Sequence, residues 1–313
     1  MKKGFLAISI LIALGAGLFY FLKPAKPSIL FAKTIKTNTK AFSRTINEEN
    51  SWKKWWPGKV TRRTTNDSSS FEYNGYAYRI TGKRYSSLLI NIARNEMRIS
   101  TELIFIPIAN DSVVMRWKSD TLIAANSGAS LKSITSDLNR DFKTIIGAIE
   151  TFYANDANIY GLLFEKKQVV DSILISTSVQ LNTYPKTADI YQMINKLRAF
   201  AKANGAAETG YPMLNISTED NTHYKAQVAI PVNKKLQDKG DIHYKWMLGG
   251  GKILVGEVKG GLNTISKGMG EMENYVTDNG LVAPAIPFQS LVTDRSMESD
   301  TSKWVTKLYW PVM

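Results

Sequence analysis

The stretch Leu248-Gly249-Gly250-Gly251-Lys252 comes nearest to a known chemical motif, a glycine loop that cradles phosphate. A P-loop needs G-x-x-x-x-G-K-[ST], with a hydroxyl after the lysine for Mg²⁺. Here Ile253 follows the lysine and Trp246 stands where the first glycine belongs, so the glycines read as a tight connection between strands. His223 and His243 are the chain's two histidines, and it has no cysteine. Without carboxylates at ligand spacing they read as surface groups, and no metal or cofactor is expected. Glu271 and Glu273 are two apart on a helix, so they diverge and cannot work as paired acid and base. No serine sits in a G-x-S-x-G elbow. No catalytic residue is assigned. Trp52, Trp55 and Trp56 among lysines have the chemistry to stack on bases. Such a cluster at the ends of short helices more often plugs a core, and no nucleic-acid partner is expected.

The side chains with most to offer a ligand lie on two closing strands. Residues i and i+2 of a strand share a face. Ala226, Val228 and Ile230 form one apolar face, opposed by Lys225, Gln227 and Ala229. Thr306, Leu308 and Trp310 oppose Val305, Lys307 and Tyr309. Gln227 and Lys307 then stand at matching positions of a polar, aromatic groove. Lys307, Tyr309, Gln227 and Trp246 are the candidate ligand-binding residues. The competing reading makes Lys307 a solvated lysine on a sheet face.

These residues need elements to position them. A chain of 313 residues with 44% hydrophobic composition is globular and long enough for about two domains. The 40 Lys and Arg against 27 Asp and Glu give a net charge of +13, which suits anionic partners without choosing among them. The lysine pairs Lys53-Lys54, Lys166-Lys167 and Lys234-Lys235 are dispersed and read as solvated surface. Gly4 to Leu22 carry no charge, and such a run nearly matches a hydrocarbon core of about 30 Å. Bulky residues close it and no A-x-A-like cleavage site follows, so a single-pass N-terminal anchor is expected, with a membrane location. Lysines flank the run on both sides and leave its orientation open.

Ile29 to Thr37 reads as a strand, Thr39 to Trp56 as helical stretches ending at Pro57-Gly58. From Phe71 to Lys118 come β-rich runs separated by turn signals at Gly82, Asn95-Glu96 and Asn110-Asp111, an antiparallel meander. From Leu131 to Phe152 the apolar residues recur at three and four, which predicts one long amphipathic helix covering a sheet. An internal repeat follows. The first copy has a strand near Ile173–Leu181, a helix with Thr187 as N-cap and Gly205 as C-cap, then strands Tyr211–Ser217 and His223–Val232. The second has a strand at Gly251–Val258, a helix from Asn263 to Asn279-Gly280, then strands Phe288–Thr293 and Lys303–Val312. The copies finish alike, in Ala229-Ile230-Pro231-Val232 and Tyr309-Trp310-Pro311-Val312. Two β-α-β-β units predict an antiparallel sheet with both helices on one face. The fold class is α+β.

Residues 29–165 resemble the SRPBCC, or START-like, helix-grip domain of polyketide-cyclase-like proteins. Trp52 to Gly58 is similar to that family's W-x-x-W-x-P stretch, and Asp137 to Gly161 to its long gripping helix. Residues 170–313 resemble the gyrase-inhibitor-like, transcription-activator effector-binding domain in their duplicated order and closing aromatic-Pro-Val strand. No helix-turn-helix precedes the second, as it does in that family's transcription regulators. The resemblance implies domains at 1–28 (anchor and spacer), 29–168 and 169–313. It also implies two small-molecule-binding folds in tandem, and hence non-catalytic, membrane-tethered binding of a small apolar or amphipathic ligand, an anionic one included. The alternatives are a cyclase- or hydrolase-like enzyme acting in one pocket, and an interaction module with vestigial pockets. The effector-binding family usually places a Glu four residues before the final Pro to meet cationic ligands. That position is Lys307 here, and the reversed charge puts cation binding in doubt.

Overall fold

The computed structural model of the protein describes residues 29–62, 69–119, 131–170, 172–218, 220, 222–247 and 249–313. The chain divides into two compact units, one holding the described residues 29–36 and 46–150, the other 37–45 and 151–313.

Among the described residues the first unit holds a seven-stranded antiparallel sheet, ordered β1-β7-β6-β5-β4-β3-β2. Its strands are β1 (Ile29–Lys36), β2 (Lys59–Arg62), β3 (Ser69–Tyr73), β4 (Tyr76–Arg84), β5 (Ser87–Arg94), β6 (Met97–Ala109) and β7 (Ser112–Ser119). Helix α1 (Thr39–Ile46) falls in the second unit up to Thr45; α2 (Glu49–Trp55) and most of the long α3 (Leu131–Tyr153) belong to the first. The sheet and long helix fit the helix-grip fold. The apolar stripe of α3 is buried at Ile134, Leu138, Phe142, Ile145, Ile146 and Ile149, while Phe152 is half-buried. The side chain of Leu131 lies outside the described residues. One predicted turn moves. Asn74 and Gly75 both take positive φ, 48° and 79°, and make the tight hairpin between β3 and β4. Gly82 instead sits inside β4 at a register shift, where a Cβ would meet Leu89 at 3.1 Å.

The second unit opens with α4 (Asp156–Tyr160) and β8 (Glu165–Gln168). The first repeat is β9 (Ser172–Leu181), α5 (Thr187–Ala203), β10 (Met213–Thr218) and β11 (Tyr224–Val232). An edge strand β12 (His243–Met247) precedes the second repeat, which is β13 (Lys252–Lys259), α6 (Leu262–Asp278), β14 (Phe288–Leu291) and β15 (Val305–Val312). Lys186, not Thr187, is the N-cap of α5, and Asn204 its C-cap, with Gly205 following at φ 65°. The sheet order is β12-β9-β11-β10-β14-β15-β13-β8. Read outward from the β10–β14 seam, both halves repeat the same succession, as duplication requires. Met213↔Ser290 and Leu214↔Gln289 pair across that seam, and Leu291 N–H donates to the Pro212 carbonyl beside them at 2.9 Å.

Ala226, Val228 and Ile230 are buried in one core with Ile190, Ile194 and Leu197 of α5. Thr306 and Leu308 are fully buried on β15. Gly268 lets α6 approach closely: a Cβ there would stand 2.8 Å from Leu308 and 2.9 Å from Val258. Asp278, at the end of α6, is buried and accepts from Arg44 Nη2 at 2.7 Å and from the Tyr160 hydroxyl at 3.0 Å.

The expected membrane location is corrected. Among the described residues no helix is long and apolar enough to cross a membrane. The run Gly4–Leu22, expected as the anchor, lies outside the described residues.

Candidate functional site

Strand alternation divides the second sheet between two environments. Positions such as Ile175 and Val228 go to the core, and their neighbours in sequence, Leu174, Gln227 and Ala229, line a cavity of about 810 Å³, joined by Pro311 of β15. Met213, Ile253 and Phe288 add apolar surface from β10, β13 and β14. Residues 245–247 and 250–252, the residues Pro284 to Ile286 and the terminal Met313 complete the described lining. The volume is that of a site for a drug-sized molecule.

Polar groups are few. Gln227 and Asn215 are register partners across β10 and β11, so two amides stand side by side. Asn215 Nδ2 donates to the Pro287 carbonyl at 2.8 Å, which fixes its side chain. Lys245 and Lys252 supply charge, and among the described residues no aspartate or glutamate belongs to this lining. Such a wall favours an apolar body carrying a polar or negative group.

The glycine stretch helps build the cavity. Gly250 takes φ 85° and its N–H donates to the Val169 carbonyl at 2.9 Å; the Gly251 carbonyl accepts from Val169 N–H at 2.7 Å. Strand β13 follows, in place of the helix that a phosphate loop requires.

Of the predicted site residues, Gln227 and Trp246 line the cavity, Trp246 at a rim where it is 60% exposed. Lys307 and Tyr309 are not part of that lining. Lys307 pairs in register with Glu257 and Ser290 and borders a separate recess with Glu165 and Lys167. Tyr309 stacks on Phe288 at 4.9 Å between ring centroids. Sequence reasoning missed Asn215, Met213 and the segment Pro284 to Ile286. The alternation of β10 held the signal for the first two; an irregular segment offers no period to read.

The histidines are exposed, and each meets an aspartate that sequence reading passed over. His223 Nδ1 lies 2.6 Å from Asp220, whose carboxyl it holds well below the usual range, and His243 Nδ1 lies 3.1 Å from Asp238. The tryptophans are interior. Trp52, Trp55 and Trp56 are buried; Trp52 Nε1 donates to the Ile46 carbonyl at 2.8 Å and Trp56 Nε1 to the Glu72 carbonyl at 3.1 Å.

The space between α3 and the first sheet holds rings. Trp52 stacks on Trp56, Trp56 meets Phe71 and Tyr78, Tyr78 meets Trp117, and Trp117 lies parallel to Phe142 at 4.1 Å. One carboxylate interrupts them: Asp141, 1% exposed, accepts from Asn74 Nδ2 at 2.7 Å and from the Tyr78 hydroxyl at 3.1 Å. Burial raises its pKa, opposed by those hydrogen bonds, and burial beside Asp141 pushes Tyr78 far up. Neither group lines the large cavity.

Residues 173–313 match the family model of the GyrI-like small molecule binding domain. Similar solved structures include EcmrR in an EcmrR–DNA complex, 16% identical with a TM-score of 0.45, covering 58% of this chain and 69% of that one. SAV2435 bound to tetraphenylphosphonium is 15% identical with a TM-score of 0.35, covering 48% of this chain and 94% of that one. A START superfamily protein from Mycobacterium smegmatis is 6% identical with a TM-score of 0.32, covering 41% and 97%. No curated protein matches the chain in sequence.

Proposed function

We propose that the protein binds small apolar or amphipathic molecules, without turning them over, in the cavity of its second unit. The observation that carries this reading is the lining itself: an apolar cavity of about 810 Å³ whose described residues include two amides, two lysines and no aspartate or glutamate. The small molecule binding family matched by residues 173–313 supports it. Gln227 and Asn215 orient the ligand's polar group, Trp246 covers the rim, and Lys245 and Lys252 favour anionic over cationic ligands. Asp141 and Tyr78, both raised by burial, sit in the first unit, and Tyr160, raised by burial in the second, is not part of the described lining, so the reading assigns the cavity no proton-transfer role.

The test is fluorescence titration of the full chain with 1-anilinonaphthalene-8-sulfonate and with uncharged N-phenyl-1-naphthylamine. Both should bind, the sulfonate more tightly. Ala229→Trp, which fills the cavity, should abolish both. Lys245→Glu combined with Lys252→Glu should erase the preference for the sulfonate. Binding that survives Ala229→Trp unchanged contradicts the proposal.

A further inference from the structure

The sheet of the first unit has a second face, turned away from α3. Tyr78 and Ile92 are register partners buried on the α3 side, where the Tyr78 hydroxyl donates to Asp141 of that helix. Their neighbours Ala77 and Ala93, also register partners, therefore stand on the other face. The register carries this row across five strands: Lys59 pairs with Glu72, Glu72 with Ala77, Ala77 with Ala93 and Ala93 with Arg98. Small side chains lie in the middle of the row and long charged ones at its ends. The result is a hollow of about 640 Å³, whose lining Arg79 and Arg94 join. Gly58 lets the chain close one side of it, since a Cβ there would stand 1.9 Å from the Glu72 carbonyl oxygen.

Charge in this hollow is one-sided. Among the described residues Lys59, Arg79, Arg94 and Arg98 line it against the single carboxylate of Glu72, and none of the four cations forms an ion pair. The Nε of Arg79 is buried without a hydrogen-bond partner. Arg98 donates to the Asn95 carbonyl, and to the Met97 carbonyl at 2.8 Å; the Arg94 guanidinium lies 5.1 Å from the centre of the Tyr76 ring. These contacts hold the arginines in place and neutralise none of them. Like charges gathered without counter-charges repel one another, and the arginine fork is matched by phosphate oxygens.

We infer that this hollow is a binding site, apart from the cavity of the second unit, for a phosphate-bearing molecule with a small hydroxylated body. The volume is that of a small-molecule site. The arginines and Lys59 take the phosphate oxygens, and Glu72 and Asn95 accept from the hydroxyls.

The test is calorimetric titration of the full chain with fructose 1,6-bisphosphate and with fructose. The bisphosphate should bind at least about tenfold more tightly. Arg79→Gln combined with Arg98→Gln should remove that difference. Because Arg79 is half-buried and its loss can loosen the sheet, Ala93→Glu is the parallel variant: it keeps every arginine, sets a carboxylate beside Arg98, and should abolish bisphosphate binding. Ala229→Trp, in the second unit, should leave that binding as in the parent. A second arm separates a soluble phosphate from a lipid headgroup: flotation with phosphatidylcholine vesicles, with and without phosphatidic acid. Extra binding to the phosphatidic acid vesicles that Ala93→Glu removes assigns the site to a headgroup; bisphosphate binding without that increase assigns it to a free phosphate, and either result supports the site. The inference is overturned if neither the bisphosphate nor the phosphatidic acid surface binds better than its control, or if both hollow variants bind as the parent does. It is also overturned if Ala229→Trp abolishes bisphosphate binding while the hollow variants keep it, which places the phosphate in the large cavity.

Discussion

In the first unit the sheet face under α3 is closed by rings, from Trp52 and Trp56 through Tyr78 to Trp117 and Phe142. In the second unit α5 and α6 cover one face, and alternate strand residues line a cavity of about 810 Å³. Both sheets are antiparallel and both carry amphipathic helices. What separates them is the face: the rings lie under α3, whereas the cavity lines the face that α5 and α6 leave open. Three tryptophans, a tyrosine and a phenylalanine fill one; Ala229, Met213, Gln227 and Pro311 leave space in the other. Under a helix both sheets pack a core, and the face of the second sheet left open, where the residues are small, keeps a binding site.

The comparison predicts unequal costs of truncation. Trp117→Ala should lose about 3–5 kcal/mol of unfolding free energy, because it removes a fully buried ring and leaves a void beside Phe142. Met213→Ala, in a wall that already borders empty space, should lose no more than about 1.5 kcal/mol. Urea unfolding of both variants checks this, and equal losses would break the distinction. Gly268→Ala tests the helix side of the second sheet. Alanine is the better helix former, yet its Cβ would press on Leu308 and Val258, so a net loss of about 1–3 kcal/mol is expected.

Much of this was legible in the sequence, for definable reasons. The stripe of α3 and the duplicated β-α-β-β order rest on periodicity, which survives in a single sequence. The apolar face Ala226, Val228, Ile230 follows from alternation alone. Asp141 was not legible: a carboxylate beside an apolar stripe reads as a solvated group, and only the fold brings Asn74 and Tyr78 to it. Asn74-Gly75 carries a clear hairpin signal in the sequence, which the turn signals read at Gly82, Asn95-Glu96 and Asn110-Asp111 left out. The cavity needed the register of seven strands, which fixes which open-face residues become neighbours.

Smaller effects sharpen the contrast further. Asp141 has its pKa raised by burial, so the native state holds its proton more tightly than the unfolded chain does. Stability should therefore fall as pH rises from the unfolded carboxylate value, near about 4, through the raised native value, and level off above it. Asp141→Asn should flatten that slope in urea midpoints measured between about pH 4 and about pH 7. A slope unchanged by the substitution would assign the effect to other carboxylates. In the second unit, Gln227→Ala should weaken naphthylamine-sulfonate binding by about tenfold, an ordinary value for one polar contact. Lys307→Glu, outside the lining, should change it by less than about threefold, as a screened charge at a distance.

The most direct test of the central claim is hydrogen–deuterium exchange on the full chain with and without saturating 1-anilinonaphthalene-8-sulfonate. The account predicts added protection at residues 213–215, 227–229, 245–253 and 284–288, with residues 71–118 and 134–149 unchanged. Protection confined to residues 71–118 and 134–149, with the cavity segments unaffected, would contradict it.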